Sequence, residues 1–76
     1  MDCLSSDDIM VMVKVNGSER SYPDGTTVSG MLLSEGMDPK KVAVEIDMDI
    51  VPRRTFDDRE IRNGETIEIV SFVGGG

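Results

Sequence analysis

Alternating apolar and polar residues predict strands at both ends of this chain. The first strand covers residues 9–15 and the last covers residues 66–72, because side chains two positions apart share one face of a strand. Asn16 and Gly17 tolerate the positive φ of a tight hairpin turn, so residues 18–22 are expected to return as a short polar strand. The residues of the first strand expected to face the core are Ile9, Val11, Val13 and Val15.

The middle of the chain changes to helical spacing. Thr26 or Thr27 is expected to cap a helix that ends near Gly36, which is a favourable C-terminal cap. A strand follows over residues 42–46, and a very short strand over residues 50–51. The apolar residues of the predicted helix are Val28, Met31, Leu32 and Leu33.

This order, β-β-α-β-β-β, predicts an α+β domain. One helix packed on one face of a mixed sheet of four to five strands buries the apolar faces economically, with the first and last strands parallel at the centre. That arrangement is the β-grasp (ubiquitin-like) fold. We expect a flexible acidic arm over residues 1–8, the β-grasp domain over residues 9–73, and a flexible glycine tail over residues 74–76.

The composition of the chain disfavours several classes of function. The chain has 76 residues with a net charge of −7, which favours a small monomeric domain and disfavours a nucleic-acid partner. It has no histidine, the commonest general base and metal ligand, so Ser-His-Asp, Cys-His and zinc-hydrolase mechanisms cannot be assembled within this chain, and we expect no metal site. Its single cysteine permits no internal disulfide, which favours the cytoplasm. The longest apolar run has five residues, and a membrane span needs about 20, so no membrane segment is expected.

Four apolar residues of the outer strands form a candidate partner-binding patch. If Ile67 and Ile69 face the helix, other residues of the last strand face outward, and the same alternation holds for the first strand. Single exposed apolar residues are ordinary on protein surfaces, whereas a group of them on one sheet face indicates a docking patch. The residues expected to converge there are Met10, Met12, Val70 and Phe72, and Val73, which follows them in the chain, is included in the patch.

The last strand leads through Val73 into Gly74, Gly75 and Gly76. A cloning scar or a passive terminus would have the same composition. The functional interpretation is that a segment without Cβ atoms can thread a narrow channel, so that another enzyme reaches the terminal carboxylate. The tail would then be a substrate.

The chain resembles the ThiS family of small sulfur carriers over most of its length. The resemblance rests on Val-Asn-Gly at 15–17, Ile-Val-Pro-Arg at 50–53, Asn-Gly-Glu at 63–65, and Ile-Val-Ser-Phe-Val-Gly-Gly-Gly at 69–76. It implies a protein co-substrate with no bound cofactor. A ThiF-like E1 enzyme would use ATP and Mg²⁺ to adenylate the Gly76 carboxylate, and a persulfide donor would convert it to a thiocarboxylate for a ThiG-like thiazole synthase.

The same resemblance assigns roles to the end of the chain. Gly74 and Gly75 would permit threading, and Val73 with Phe72 would position the tail. Three alternatives stay open at this point. Two use the same fold and tail: the small subunit of molybdopterin synthase, and modifiers that thiolate tRNA or conjugate to lysines. The third is a β-grasp interaction module with a passive tail.

Two charged groups are assigned structural roles. Asp47 and Asp49 are expected to lie in a solvated turn, because the spacing lacks the glycine and glutamate of a calcium loop. Two adjacent arginines, Arg53 and Arg54, either pair with an acidic partner or form local ion pairs, and we expect the local pairs. The local candidates are Asp57, Asp58 and Glu60.

Overall fold

The computed structural model describes residues 9–72 of the protein as a five-stranded mixed sheet with one α-helix. Two 3₁₀ turns, Pro39–Lys41 and Arg53–Thr55, lie between the later strands. The α+β prediction is therefore confirmed. The predicted arm, Val73 and the glycine tail lie outside the described residues. The elements are β1 Met10–Val15, β2 Ser18–Pro23, α1 Val28–Ser34, β3 Val42–Ile46, β4 Asp49–Ile50 and β5 Thr66–Ser71.

The strand order is β2-β1-β5-β3-β4, so the first and last strands lie side by side at the centre. They run parallel, with Lys14 opposite Thr66. All other neighbours are antiparallel. The predicted central pair is confirmed, and the antiparallel β3–β5 pairing places the end of β5 next to the start of β3, with Ser71 opposite Val42.

The β1–β2 turn also joins the hairpin to the centre of the sheet. Asn16 (φ 50°) and Gly17 (φ 86°) both take positive φ, as the sequence predicted. The Asn16 side chain accepts a hydrogen bond from the Ile69 backbone N–H at 2.7 Å and donates one to the Ile69 carbonyl at 3.2 Å. β1 ends at Val15, so the side chain of the following turn residue supplies hydrogen bonds to β5 that β1 no longer provides.

The helix is short and well capped. The Thr27 hydroxyl accepts a hydrogen bond from Gly30 N–H at 3.1 Å, and Gly36, with φ of 77°, closes the C-terminus. Met37 N–H reaches the Leu32 carbonyl across this glycine, which is the Schellman arrangement. Leu33, predicted as part of the apolar helical set, is 65% exposed because it lies on the side away from the sheet. Among residues 9–72, no helix has the length and apolar character needed to cross a bilayer.

One core fills the space between the helix and the inner face of the sheet. Its sequence-predicted members come from β1, α1, β3 and β5. Ile9 was wrongly expected there: pairing with β2 begins only at Met10, and Ile9 is 57% exposed. The core also contains four residues outside these elements, namely Tyr22, Val51, Phe56 and Ile61. Val51 was expected in the short strand, but that strand, β4, covers Asp49–Ile50 and ends before it.

Candidate partner-docking site

The sheet face opposite α1, here called the outer face, carries exposed apolar residues at the end of β5. Val70 and Phe72 are 59% and 55% exposed. Val70 lies opposite Ala43 on β3, which is half-buried. The backbone N–H of Phe72 donates to the Lys41 carbonyl at 2.8 Å, so the chain is still held to the residues before β3 at this point. We call Val70, Phe72 and Ala43 the tail end of the outer face.

Met10 and Met12 are also exposed on the outer face, but they lie at its other end. Met12 is level with Gly64, whose N–H donates to the Met12 carbonyl at 2.7 Å. Because β1 and β5 are parallel and Lys14 is opposite Thr66, Val70 lies about 20 Å further along the sheet. The expectation that the four apolar residues converge on one patch is therefore wrong. We call Met10 and Met12 the far end.

Charged residues separate the two ends. Lys14 on β1 lies opposite Glu19 on β2, so the β1–β2 part of the outer face carries a pair of opposite charges. Glu45 lies directly opposite Glu68, and both are exposed. Like charges facing each other across two strands are unfavourable. The centre of the outer face is thus polar, and its β3–β5 part is acidic.

Arg53 binds backbone rather than a neighbouring carboxylate. Its Nε donates to the Pro39 carbonyl at 3.2 Å, and its Nη2 donates to the Val42 carbonyl at 3.1 Å. Among residues 9–72, the ion pairs within 4.0 Å are Arg20–Glu35 and Arg59–Glu65. The predicted local pairs of Arg53 and Arg54 with Asp57, Asp58 or Glu60 are therefore wrong. The guanidinium of Arg53 fixes the segment before β3, which in turn accepts the Phe72 N–H.

A buried tyrosine anchors β2 to the end of the helix. The Tyr22 hydroxyl donates to Glu35 Oε2 at 2.6 Å, and Arg20 pairs with the same carboxylate at 3.2 Å. Burial, then the hydrogen bond to Glu35 and the charge of Glu35, raise the pKa of Tyr22 to about 12, and the positive charge of Arg20 opposes this shift. Tyr22 lies opposite Val11, the residue between Met10 and Met12, so this anchor lies on the inner face of the sheet behind the far end.

Within residues 9–72, no group of three or more Cys, Asp or Glu side chains is arranged to hold a metal ion. Asp47 lies in the β3–β4 turn, where its carboxylate accepts the Thr66 backbone N–H at 3.0 Å. Asp47 and Asp49 are both exposed, as expected; Asp47 lies in the turn, whereas Asp49 is the first residue of β4.

Two contacts near the site carried no recognisable signal in the sequence. The Asn16–Ile69 hydrogen bonds join residues 53 positions apart, and Arg53 reaches a segment 11 to 14 positions earlier. Asn16 was assigned only to its turn, and Arg53 only to surface pairing. Both contacts depend on which strands become neighbours, and strand order is the information that would have found them.

Comparison with known proteins decides the family. The model of the ThiS family matches residues 13–76, which is most of the chain and includes the terminal glycines. The chain belongs to the ThiS family. The sulfur carrier protein ThiS of Bacillus subtilis is 33% identical over 66 residues, which cover 86% of this chain and all of that protein.

A solved structure and a longer relative extend the comparison. The crystal structure of the thiamine biosynthesis protein ThiS from Geobacter metallireducens matches with a TM-score of 0.70 and 27% identity, covering 87% of this chain and all of that one. It confirms the β-grasp fold of the ThiS family. A thiazole synthase of Paramagnetospirillum magneticum is 40% identical over 62 residues. The match covers 82% of this chain but only 19% of that protein, so this chain spans about a fifth of that relative's length.

Proposed function

We propose that this protein is a sulfur carrier for thiazole formation in thiamine biosynthesis, and that it acts as a protein co-substrate rather than an enzyme. The observation that carries the proposal is the family match, which continues from the sheet through the terminal glycines to Gly76. The B. subtilis relative, matched over its whole length, is a sulfur carrier. The exposed tail end of the outer face supports a role in which partners hold the domain while the tail enters their active sites.

The reactive group in this proposal is the Gly76 carboxylate. A carboxylate is a poor acyl donor, so one of its oxygens first attacks the α-phosphorus of ATP and pyrophosphate leaves. A persulfide sulfur then attacks the carbonyl carbon and AMP leaves, after which a thiol reduces the sulfur–sulfur bond to free the thiocarboxylate. Gly74 and Gly75 allow this approach because they have no Cβ atoms. The activating partner supplies the Mg²⁺ and the catalytic groups.

We propose a ThiF-like adenylating enzyme and a thiazole synthase as the two successive partners, both in the cytoplasm. The P. magneticum relative supports the second, because a segment similar to this chain lies within a protein named thiazole synthase. This favours thiazole over molybdopterin or tRNA as the destination of the sulfur. Val70, Phe72 and Val73 would contact the partner next to the tail.

The test is reconstitution with a ThiF-like enzyme, MgATP and a persulfide donor, followed by intact-protein mass spectrometry. We expect the mass gain of one oxygen exchanged for one sulfur, located at Gly76 by fragmentation. The control lacks Gly75 and Gly76 and should keep its original mass, since its terminus no longer reaches the active site. An unchanged mass of the full chain, with an enzyme that activates B. subtilis ThiS, would contradict the proposal.

A further inference from the structure

A cluster of positive charge lies beside the root of the tail. Four of the eight basic residues of this acidic chain fall in the two 3₁₀ turns, and all four are exposed. Arg53 joins these turns through its hydrogen bonds to the Pro39 and Val42 carbonyls. The nearby Asp38 carboxylate is engaged by the Lys40 backbone N–H at 2.9 Å. We call this cluster the basic edge; it consists of Lys40, Lys41, Arg53 and Arg54.

The basic edge is attached to the end of β5. The Lys41 carbonyl accepts the Phe72 backbone N–H, so a lysine of the edge and the last described residue are hydrogen-bonded neighbours. Four residues follow Phe72, and four extended residues span at most about 14 Å. Any enzyme that acts on the Gly76 carboxylate must therefore bring the mouth of its channel close to the basic edge.

Resting on the function proposed above, we propose that the basic edge binds carboxylates around the channel mouth of the activating enzyme and so orients the carrier. The partner surface would combine Asp or Glu side chains facing the basic edge with apolar side chains facing Val70 and Phe72. The charge of the rest of the chain makes this selective. An acidic rim is attracted by the edge and repelled by Glu45 and Glu68, which lie on the same outer face but further from the tail than Val70 and Phe72. The orientation with the tail at the channel is therefore favoured.

Arg53 reduces the loss of conformational entropy when the partner binds. Its guanidinium is already held by two carbonyls, so less side-chain freedom is lost when the partner docks. Lys40 and Lys41 supply ammonium groups that form no ion pair with another residue of the range 9–72. They do not carry the fold, because both are exposed and neither side chain belongs to the core. These two lysines are therefore the residues to change.

The test compares two double charge reversals in the activation reaction. Lys40→Glu with Lys41→Glu alters the basic edge, and Lys14→Glu with Arg62→Glu changes net charge equally at positions away from the tail. We expect the first pair to raise the KM for activation about 10-fold and the control pair to raise it less than about twofold. Added salt should raise the wild-type KM and shrink the difference. Matched denaturation midpoints would show that both variants fold.

The outcomes separate this inference from the function on which it rests. If the wild-type chain is not activated at all, the proposed function fails. If it is activated and the two double variants have equal KM values, the basic edge does not orient the carrier. The inference also fails if the Lys40/Lys41 variant loses only sulfur delivery to thiazole synthase, or if sedimentation shows that the edge binds a second copy of this chain.

Discussion

The two ends of the outer face carry similar apolar side chains but have different neighbours. Val70 and Phe72 lie where β5 leads toward the glycines, beside a segment that Arg53 holds in place. Met10 and Met12 lie about 20 Å away, where the Met12 backbone N–H donates to Asn63 Oδ1, and the Tyr22–Glu35 anchor lies on the opposite, inner face of the same strands. Exposed apolar area alone does not distinguish the ends. Their distance from Phe72, the last described residue before the glycines, does distinguish them, and for this reason we propose docking at the tail end.

Charged substitutions should reveal the difference between the two ends most strongly. Val70→Asp with Phe72→Asp should weaken the complex with the activating enzyme by about 100-fold, or about 3 kcal/mol, because two central contacts become desolvated charges. Met10→Asp with Met12→Asp is the matched control and should change the affinity less than about threefold. Isothermal titration calorimetry measures both. Equal losses at the two ends would show that the whole outer face docks.

Removal of the Arg53 guanidinium should destabilise the protein and loosen the segment that holds the tail end. Arg53→Met leaves the Pro39 and Val42 carbonyls without a charged donor, which should lower the free energy of unfolding by about 1–2 kcal/mol. Urea denaturation measures the change. Amide hydrogen exchange should increase at Phe72, whose N–H depends on the segment that Arg53 holds. Lower stability with unchanged amide exchange at Phe72 would show that Arg53 does not hold the residues around Phe72 in place.

Tyr22→Phe should affect the far end alone. It removes the hydroxyl bonded to Glu35 and should cost about 1 kcal/mol in unfolding free energy, with no change in affinity for the activating enzyme. Because the folded-state pKa of Tyr22 is raised to about 12 from its ordinary value of 10.0, the wild type should lose stability as pH rises from about 10 to 12. Denaturation at pH 8 and 11 tests this. The Tyr22→Phe variant should not show this loss of stability at high pH. If the stability of both proteins depends equally on pH, the Tyr22–Glu35 hydrogen bond is not the anchor described here.

The smallest effect is expected at the centre of the outer face. Glu68→Gln removes the repulsion from Glu45 directly opposite and should raise the unfolding free energy by about 0.5 kcal/mol. Lys14→Gln is the comparison on the same face, where loss of the opposite charge of Glu19 should not stabilise the protein. Thermal unfolding at low ionic strength measures both. A destabilised Glu68→Gln variant would mean that its carboxylate makes a favourable contact.

The sequence predicted the order of elements well, because strands and caps depend on local patterns. Alternation over β1 and β5, the Asn16–Gly17 turn and the Gly36 cap were all recognisable. Phe56 and Ile61 were not, since they lie among charged residues with neither strand nor helix spacing. Their burial follows from tertiary contacts: the Phe56 carbonyl accepts Ser29 N–H, and Ile61 N–H donates to the Thr26 carbonyl.

The site could be predicted only in part. Alternation assigned Met10, Met12, Val70 and Phe72 to one face, but it gives no register between strands that are distant in sequence. The separation of the two pairs therefore required the β1–β5 pairing. The position of the basic edge likewise depended on the Arg53 hydrogen bonds, which connect turns separated by a strand hairpin.

Delivery of sulfur is the step that identifies the protein's role. The chain is first converted to its thiocarboxylate with isotopically labelled sulfur, and is then incubated with a thiazole synthase and its other substrates. We expect the label to appear in the thiazole product while the carrier returns to its original mass. Retention of the label on this chain, under conditions in which B. subtilis ThiS delivers its own, would contradict a role as the sulfur carrier of thiazole formation.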